Sequence, residues 1–166
     1  MKLVVTDTNV LIDVLDCHLV QAFFDLPLEI HTIEFILAEL NEIQRVALIP
    51  FVATDHLKVK KFDELEMRAI MEFPVTRKGV QRRIADRSAL YLAVCWGAVL
   101  LGGDNDLRKE AEERQVEVHG SIWLFEVLFH HGVTTAEQTK NNLERLMDVN
   151  PRIPVDLVRQ TIQNIG

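Results

Sequence analysis

MKLVVTDTNVLID, Met1 to Asp13, is the stretch that decides the fold. A short apolar run, Leu3 to Val5, leads straight into Asp7-Thr8-Asn9, and the apolar positions then fall at Val10, Leu11, Val14 and Leu15. Buried-strand character gives way to helical spacing. Asp7 therefore stands where a strand ends and a helix begins. In an open α/β sheet, chemistry gathers at the carboxyl ends of the strands, and a carboxylate there is held by the rigid element before it.

Working outward, short strands alternate with helices. Residues 10–24 read as a helix, Leu28 to Thr32 as a second strand, and Thr32 as the cap of a helix striped by Ile33, Ile36, Leu37, Leu40 and Ile43. Glu34 and Glu42 project away from that stripe, whereas Glu39 lies on its flank, about one 100° helical step from its centre. Val46 to Ala53 reads as a strand, with Pro50 arguing for an edge or loop. A Lys-rich loop carries Lys58, Lys60 and Lys61, and Phe62 to Phe73 is helical. Residues 75–83 form a polar, basic and flexible loop.

Ile84 to Trp96 is a buried helix with Gly97 as its C-cap. Ala98 to Leu101 is a strand running into Gly102-Gly103-Asp104-Asn105-Asp106, which repeats the opening order of strand, carboxylate and helix. A charged helix (107–115), a strand (116–118) and a helix capped by Ser121 follow, with His130-His131 at that helix's end. The alternation predicts an α/β fold, a parallel sheet covered on both faces in a three-layer α/β/α sandwich. Residues 1–132 make up this domain. Residues 133–166 add two helices, the first announced by the capping-box signal at Thr134-Thr135 and Glu137-Gln138.

Composition narrows the function. With 166 residues, 48% of them apolar, the chain can bury a sizeable core. The net charge of −7 excludes a whole-protein basic field; any nucleic acid must be met by a local patch, for which Arg77, Lys78, Arg82, Arg83 and Arg87 are the candidates, and by metal ions. Cys17 and Cys95 read as reduced core thiols of a cytoplasmic protein. No leader segment is expected at the N-terminus, and no run approaches the roughly 20 apolar residues of a membrane span.

The constellation that carries chemistry is Asp7, Glu39, Asp86 and Asp104. Hard divalent cations such as Mg²⁺ take a few carboxylate oxygens and complete their shell with water and phosphate. Such ions activate water in phosphodiester hydrolysis. Asn9 is placed to orient an acid or a water, and Asp106 is a possible further acid. Taken singly, each acid has a plainer reading: Asp7 and Asp104 as helix caps, Asp86 as a first-turn acid, Glu39 as a solvated helix residue. A haloacid-dehalogenase-type phosphatase would need a second Asp at position 9, which is Asn9, and a dinucleotide-binding domain would need a Gly-rich first turn, which TDTNVL lacks.

The stretches VVTDTNVLID, FILAEL, ADRSALYLA and VLLGGDNDLRKEAEERQVEV resemble the PIN domain, the nuclease fold of VapC-type toxins and related ribonucleases. The resemblance implies an α/β sandwich that binds Mg²⁺ or Mn²⁺ and cleaves RNA. By motif its acids fall on Asp7, Glu39, Asp86 and Asp104, and its polar helper on Asn9. It also implies a homodimer and a small antitoxin partner, and the tail resembles a prokaryotic subgroup with added C-terminal helices. One departure stands out. The family usually carries Ser or Thr two residues before the fourth acid, and here Gly102 occupies that position. The alternative reading is a non-catalytic or weakly active PIN-like binding module.

Overall fold

The computed structural model describes residues 1–166. In chain order the elements are β1 (Lys2–Thr6), α1 (Thr8–Asp16), α2 (Val20–Phe24), β2 (Leu28–Ile33), α3 (Glu34–Glu39), α4 (Glu42–Ala53), β3 (Leu57–Lys60) and α5 (Glu64–Glu72). There follow α6 (Lys78–Gln81), α7 (Ile84–Trp96), β4 (Val99–Leu101), α8 (Asn105–Glu113), β5 (Val118–His119), α9 (Ser121–His130), α10 (Ala136–Val149) and α11 (Val155–Ile165). The five strands form one parallel sheet in the order β3-β2-β1-β4-β5. Helices flank it on both faces, the expected α/β/α sandwich.

This order puts β1 at the centre of the sheet. Val5 pairs with His31 of β2 and with Leu100 of β4, so β1 has neighbours on both edges. Val4, Val5 and Thr6 are correspondingly buried without alternation, as a strand covered on both faces requires. The helix α7 crosses back over β1, β2 and β4 before entering β4. Because the strands are parallel, such a crossover starts at their carboxyl edge. The first turn of α7 is thereby delivered to the edge where β1 and β4 end.

Thirty-seven buried apolar residues form a single cluster, and it includes Leu143 and Leu146 of α10 and Val158 of α11. The C-terminal helices are thus packed onto the same core. Each fully buried Leu is worth about 1.5–3 kcal/mol relative to exposure. A polar tie reinforces the docking: buried Asp13 of α1 accepts hydrogen bonds from Ser121 Oγ (2.6 Å) and from Asn150 Nδ2 (3.1 Å). Arg145 of α10 also donates to the Asp16 carbonyl at 3.0 Å.

Several local expectations are corrected. Of the two cysteines expected in the core, Cys17 is buried and Cys95, near the end of α7, is exposed. The segment read as a strand, Val46 to Ala53, is the greater part of α4. A capping box of Asn41 and Gln44 starts this helix, and Pro50 is accommodated inside it. Ile43, Val46, Ile49 and Val52 lie three apart and face solvent, Ile43 with 81% of its surface exposed, while Leu48 is buried and Phe51 packs on the core. The run looks strand-like only when that spacing is ignored. The stripe from Ile33 to Ile43 is not one helix: Leu40 takes extended backbone between α3 and α4.

Thr32 caps nothing. It is buried in β2 and donates to the Thr6 carbonyl at 3.3 Å. Ser121 does not cap α9 either, because its hydroxyl is committed to Asp13. The helix expected over 10–24 is broken at Cys17–Leu19, where His18 takes a positive φ of 57°. The Lys-rich loop begins with the edge strand β3, whose Lys58 and Lys60 pair with Glu29 and Glu66. Lysine on an edge strand blunts pairing with other chains.

The basic segment 75–83 is pinned rather than loose. It contains the short helix α6, and the wholly buried carboxylate of Glu110 clamps its start. Glu110 Oε1 accepts from Thr76 N and Oγ1 (both 2.9 Å) and from Arg77 N (2.6 Å), and Arg114 bonds the other oxygen. Burial alone would raise the Glu110 pKa, but these donors outweigh it and hold the group below its ordinary value. Replacing Glu110 with Ala removes the acceptor shared by Thr76 N, Thr76 Oγ1 and Arg77 N and leaves Arg114 with main-chain carbonyls alone. Urea unfolding at neutral pH is expected to show a loss of about 3 kcal/mol, and an unchanged midpoint would contradict the clamp.

Candidate active site

Asp7 follows the last residue of β1. Its Oδ1 accepts from Val10 N at 2.9 Å, capping α1, and its Oδ2 accepts from Gly103 N at 3.2 Å, across the gap to the segment after β4. Its backbone N–H donates to the Leu101 carbonyl at 2.8 Å. The side chain is 1% exposed as part of its residue and has no cation paired to it. Burial raises its pKa to about 7, against the lowering effect of the Val10 and Gly103 amides, with Asp86 and Asp13 adding repulsion.

Asp86 lies in the first turn of α7 and is also buried. Its Oδ2 has no hydrogen-bond partner. The nearest cation is Arg83, whose Nε stands 3.6 Å away, an ion pair without a hydrogen bond. Burial pushes the Asp86 pKa up to about 6; Arg83 opposes this, and the charges of Asp104 and Glu39 reinforce it. A buried carboxylate oxygen with nothing to accept from is unusual in a folded protein and signals a missing partner.

Asp104 follows β4 and caps α8, accepting from Leu107 N at 3.1 Å through Oδ2. Glu39, at the end of α3, is partly exposed; Thr8 Oγ1 donates to its Oε2 at 2.9 Å and Arg83 approaches the same oxygen at 3.4 Å. The charges of Asp86, Glu39 and Asp104 all act on the Arg83 guanidinium and raise its pKa, in that order. Asp7, Asp86, Asp104 and Glu39 therefore belong to one electrostatic neighbourhood at the carboxyl edge of β2, β1 and β4. Asn9 stands beside it, with its Cβ 3.5 Å from where a Cβ on Gly103 would be. Asp106 faces elsewhere: a Cβ on Gly79 would come within 2.7 Å of its Oδ2, and its charge acts on Arg77.

No three acid, imidazole or thiol side chains are drawn together into a ready-made ion cage. The donor chemistry nevertheless fits a hard cation. Mg²⁺ keeps several waters and needs only one or two carboxylates, and the unpartnered Asp86 Oδ2 is the kind of oxygen it takes. Cation charge beside Asp7 and Asp86 would also draw down their raised pKa values. At position 102, an added Cβ would lie 3.4 Å from Asp7 Oδ2 and 3.1 Å from Leu107 Cδ2. Glycine thus leaves open the space beside Asp7 that a serine hydroxyl would enter.

The expected basic patch is largely spent on structure. Arg77 pairs with Glu113 at 2.7 Å, Arg83 belongs to the acids, and Arg87 donates to the carbonyls of Ile70, Met71 and Phe73. Two groups that sequence reasoning missed are Thr8, which holds Glu39, and the Asp13–Ser121–Asn150 knot. Thr8 lies inside the TDTN motif, so its place was visible although its partner was not. The knot joins residues more than a hundred positions apart and left no local signal.

A family model described as PIN domain matches residues 3–166 of the chain. No curated protein sequence matches. Among solved structures, the chain is similar to a PilT N-terminus domain protein from the hyperthermophilic archaeon Sulfolobus solfataricus P2. The two share 11% identity at a TM-score of 0.43, over 76% of this chain and 93% of that one.

The raised pKa of Asp7 makes a signed prediction for the metal-free protein. An acid whose folded pKa lies above its unfolded value costs stability as pH rises through the window between them, here from about 4 to about 7. In Asp7→Asn that cost is gone, although one amide hydrogen now faces Gly103 N–H at every pH. The stability of the variant relative to the native chain should rise by about 2–4 kcal/mol between pH 4.5 and 8. Urea unfolding across that range checks it, and a constant difference would contradict a buried, unpaired Asp7.

Proposed function

The chain belongs to the PIN-domain family, whose members are nuclease-type domains, and from that premise we propose that it is a divalent-metal-dependent endoribonuclease. The observation that carries this reading is the buried Asp86 oxygen without a partner, set among Asp7, Asp104 and Glu39 at the carboxyl edge of the sheet. Asp7, Asp86 and Asp104 would hold Mg²⁺ or Mn²⁺, with Glu39 completing the acid set. When bound, the ion activates water and neutralises charge developing on the phosphodiester.

The chain's own residues do the positioning. Val10 and Gly103 amides fix both Asp7 oxygens, so that carboxylate needs no reorganisation. Thr8 aims Glu39. Asn9, at the rim, orients the attacking water or a phosphate oxygen. Arg83, now shared between Asp86 and Glu39, is the cation nearest the incoming phosphate. A toxin role with a small antitoxin partner, in the cytoplasm, completes the proposal. So does a homodimer, for which the exposed apolar face of α4 is the supporting surface. The apolar stripe of α11, by contrast, is used mainly against α10: Val158 is buried and Ile162 packs on the core. No helix is long and apolar enough to cross a membrane.

Gly102 favours a second reading, a weakly active or non-catalytic binding module. Two variants separate the readings. Asp7→Asn should abolish Mg²⁺- or Mn²⁺-dependent cleavage of single-stranded RNA while the protein stays folded, because the amide keeps the shape and loses the charge. Gly102→Ser should raise the cleavage rate: its Cβ requires Leu107 to give by only a few tenths of an ångström and sets a hydroxyl beside Asp7. If the native chain and Gly102→Ser cleave no RNA with either metal, the nuclease reading fails and the binding module replaces it. For the dimer, sedimentation should show two copies at micromolar concentration and a monomer in Ile49→Glu; a native monomer overturns it.

A further inference from the structure

A cleft of about 610 Å³ leads away from the acid site. Asn9 and Asp104 of the acid site line it, together with Arg108 of α8, the His119–Trp123 pair, and Arg152 in the segment joining α10 to α11. Three features distinguish it from a mere surface fold. Arg108 Nε is buried and has no hydrogen-bond partner, and the guanidinium takes part in no ion pair, whereas Arg77, Arg83 and Arg114 are all paired to acids. An unpaired charged donor in a half-dry cleft is costly unless something arrives to meet it.

The rings of His119 and Trp123 stack in parallel, with centroids 3.9 Å apart and planes 6° from one another. They form an aromatic plate within the cleft. The wall formed by the α10–α11 segment is fixed in place, because Asn150 is hydrogen-bonded to buried Asp13, which also holds Ser121 of α9. The two walls are therefore tied through one carboxylate. Asp13 is satisfied by these donors, and Glu126 is the remaining acid along the cleft beyond Asp104.

We propose that this cleft is the substrate-strand subsite: it seats single-stranded RNA next to the scissile position, with Arg108 on a flanking phosphate and a base stacked against the His119–Trp123 plate. The proposal rests on the nuclease reading for what happens at the acids, but not for binding itself. Phosphate contacts supply affinity without regard to sequence, and aromatic stacking accepts any base. The C-terminal helices then have a role in the site, as the carriers of the wall that bears Arg152. The strand is placed on this side rather than along residues 75–83, where most of the arginines are already consumed.

The test uses the full chain and a short fluorescein-labelled single-stranded RNA, with binding followed by anisotropy in EDTA so that no cleavage occurs. Arg108→Gln should weaken binding about tenfold and lower the slope of log affinity against log salt by about one. Trp123→Leu should weaken it by a similar factor, and Lys109→Gln, on the exposed side of the same helix, should change neither. With metal added, Arg108→Gln should raise KM and leave kcat within about twofold. Photo-crosslinking of a 5-iodouridine RNA to the native chain, which needs no variant to fold, should label the peptide containing His119 and Trp123.

Crosslinks confined to other segments, or affinities of Arg108→Gln and Trp123→Leu equal to the native one, overturn the subsite while leaving metal-dependent cleavage standing. Arg108-dependent binding without cleavage leaves the subsite and removes the nuclease. A native chain that binds no RNA overturns the subsite. Binding to the cleft by a peptide in place of RNA, with the same loss in Arg108→Gln and no RNA affinity, overturns it as well.

Discussion

The constraint on which the rest depends is the burial of a carboxylate at the end of the central strand. Asp7 cannot leave its place: one oxygen caps α1, the other accepts the Gly103 amide, and its own N–H is bonded to Leu101. These contacts join β1, α1 and the turn after β4, so the residue that is electrostatically most costly is also a structural joint. Backbone amides satisfy its geometry but not its charge, which is why burial wins and its pKa rises to about 7. Asp86 repeats the situation with fewer donors and a free oxygen. A fold that keeps two such groups buried gives up stability at neutral pH to do so.

The parallel sheet explains why the acids share one edge. Asp7, Asp104 and the α3 residues follow strands that are neighbours in the order β2-β1-β4, and α7 begins where those strands end. Four residues spread over nearly a hundred positions arrive at one edge through connectivity alone. Arg83 stands among them as the one close positive charge. Away from this edge Arg77, Arg87 and Arg114 are put to structural use, on Glu113, main-chain carbonyls and Glu110. Arg108 differs in having a buried guanidinium nitrogen with no partner, and it lines the cleft beside the site.

What could be read in the sequence follows the range of the interactions. The strand-to-helix change at Asp7, its repetition at Asp104 and the helix carrying Asp86 are local patterns, and each element lies where its pattern put it. The α4 segment was misread because an apolar run with a proline reads as a strand or a loop, whereas the deciding feature is the Asn41–Gln44 capping box just before it. The flexible basic loop was misread because its anchor, Glu110, is more than thirty residues away and looks like any acid of a charged helix. Asp13 and Asn150 are polar residues with no distinguishing context, and Ser121 has the local context of a helix cap; only the docking of the last helices brings the three together.

The account turns on whether the acid edge holds a divalent cation through Asp86. Titration of Mn²⁺ into the chain at pH 7.5, with free ion read by electron paramagnetic resonance, measures this without any substrate. The account predicts saturable loss of the free-ion signal, competition by Mg²⁺, and loss of that binding in Asp86→Asn. A free-ion signal unaffected by the native chain, or identical binding in the native chain and in Asp86→Asn, would contradict it.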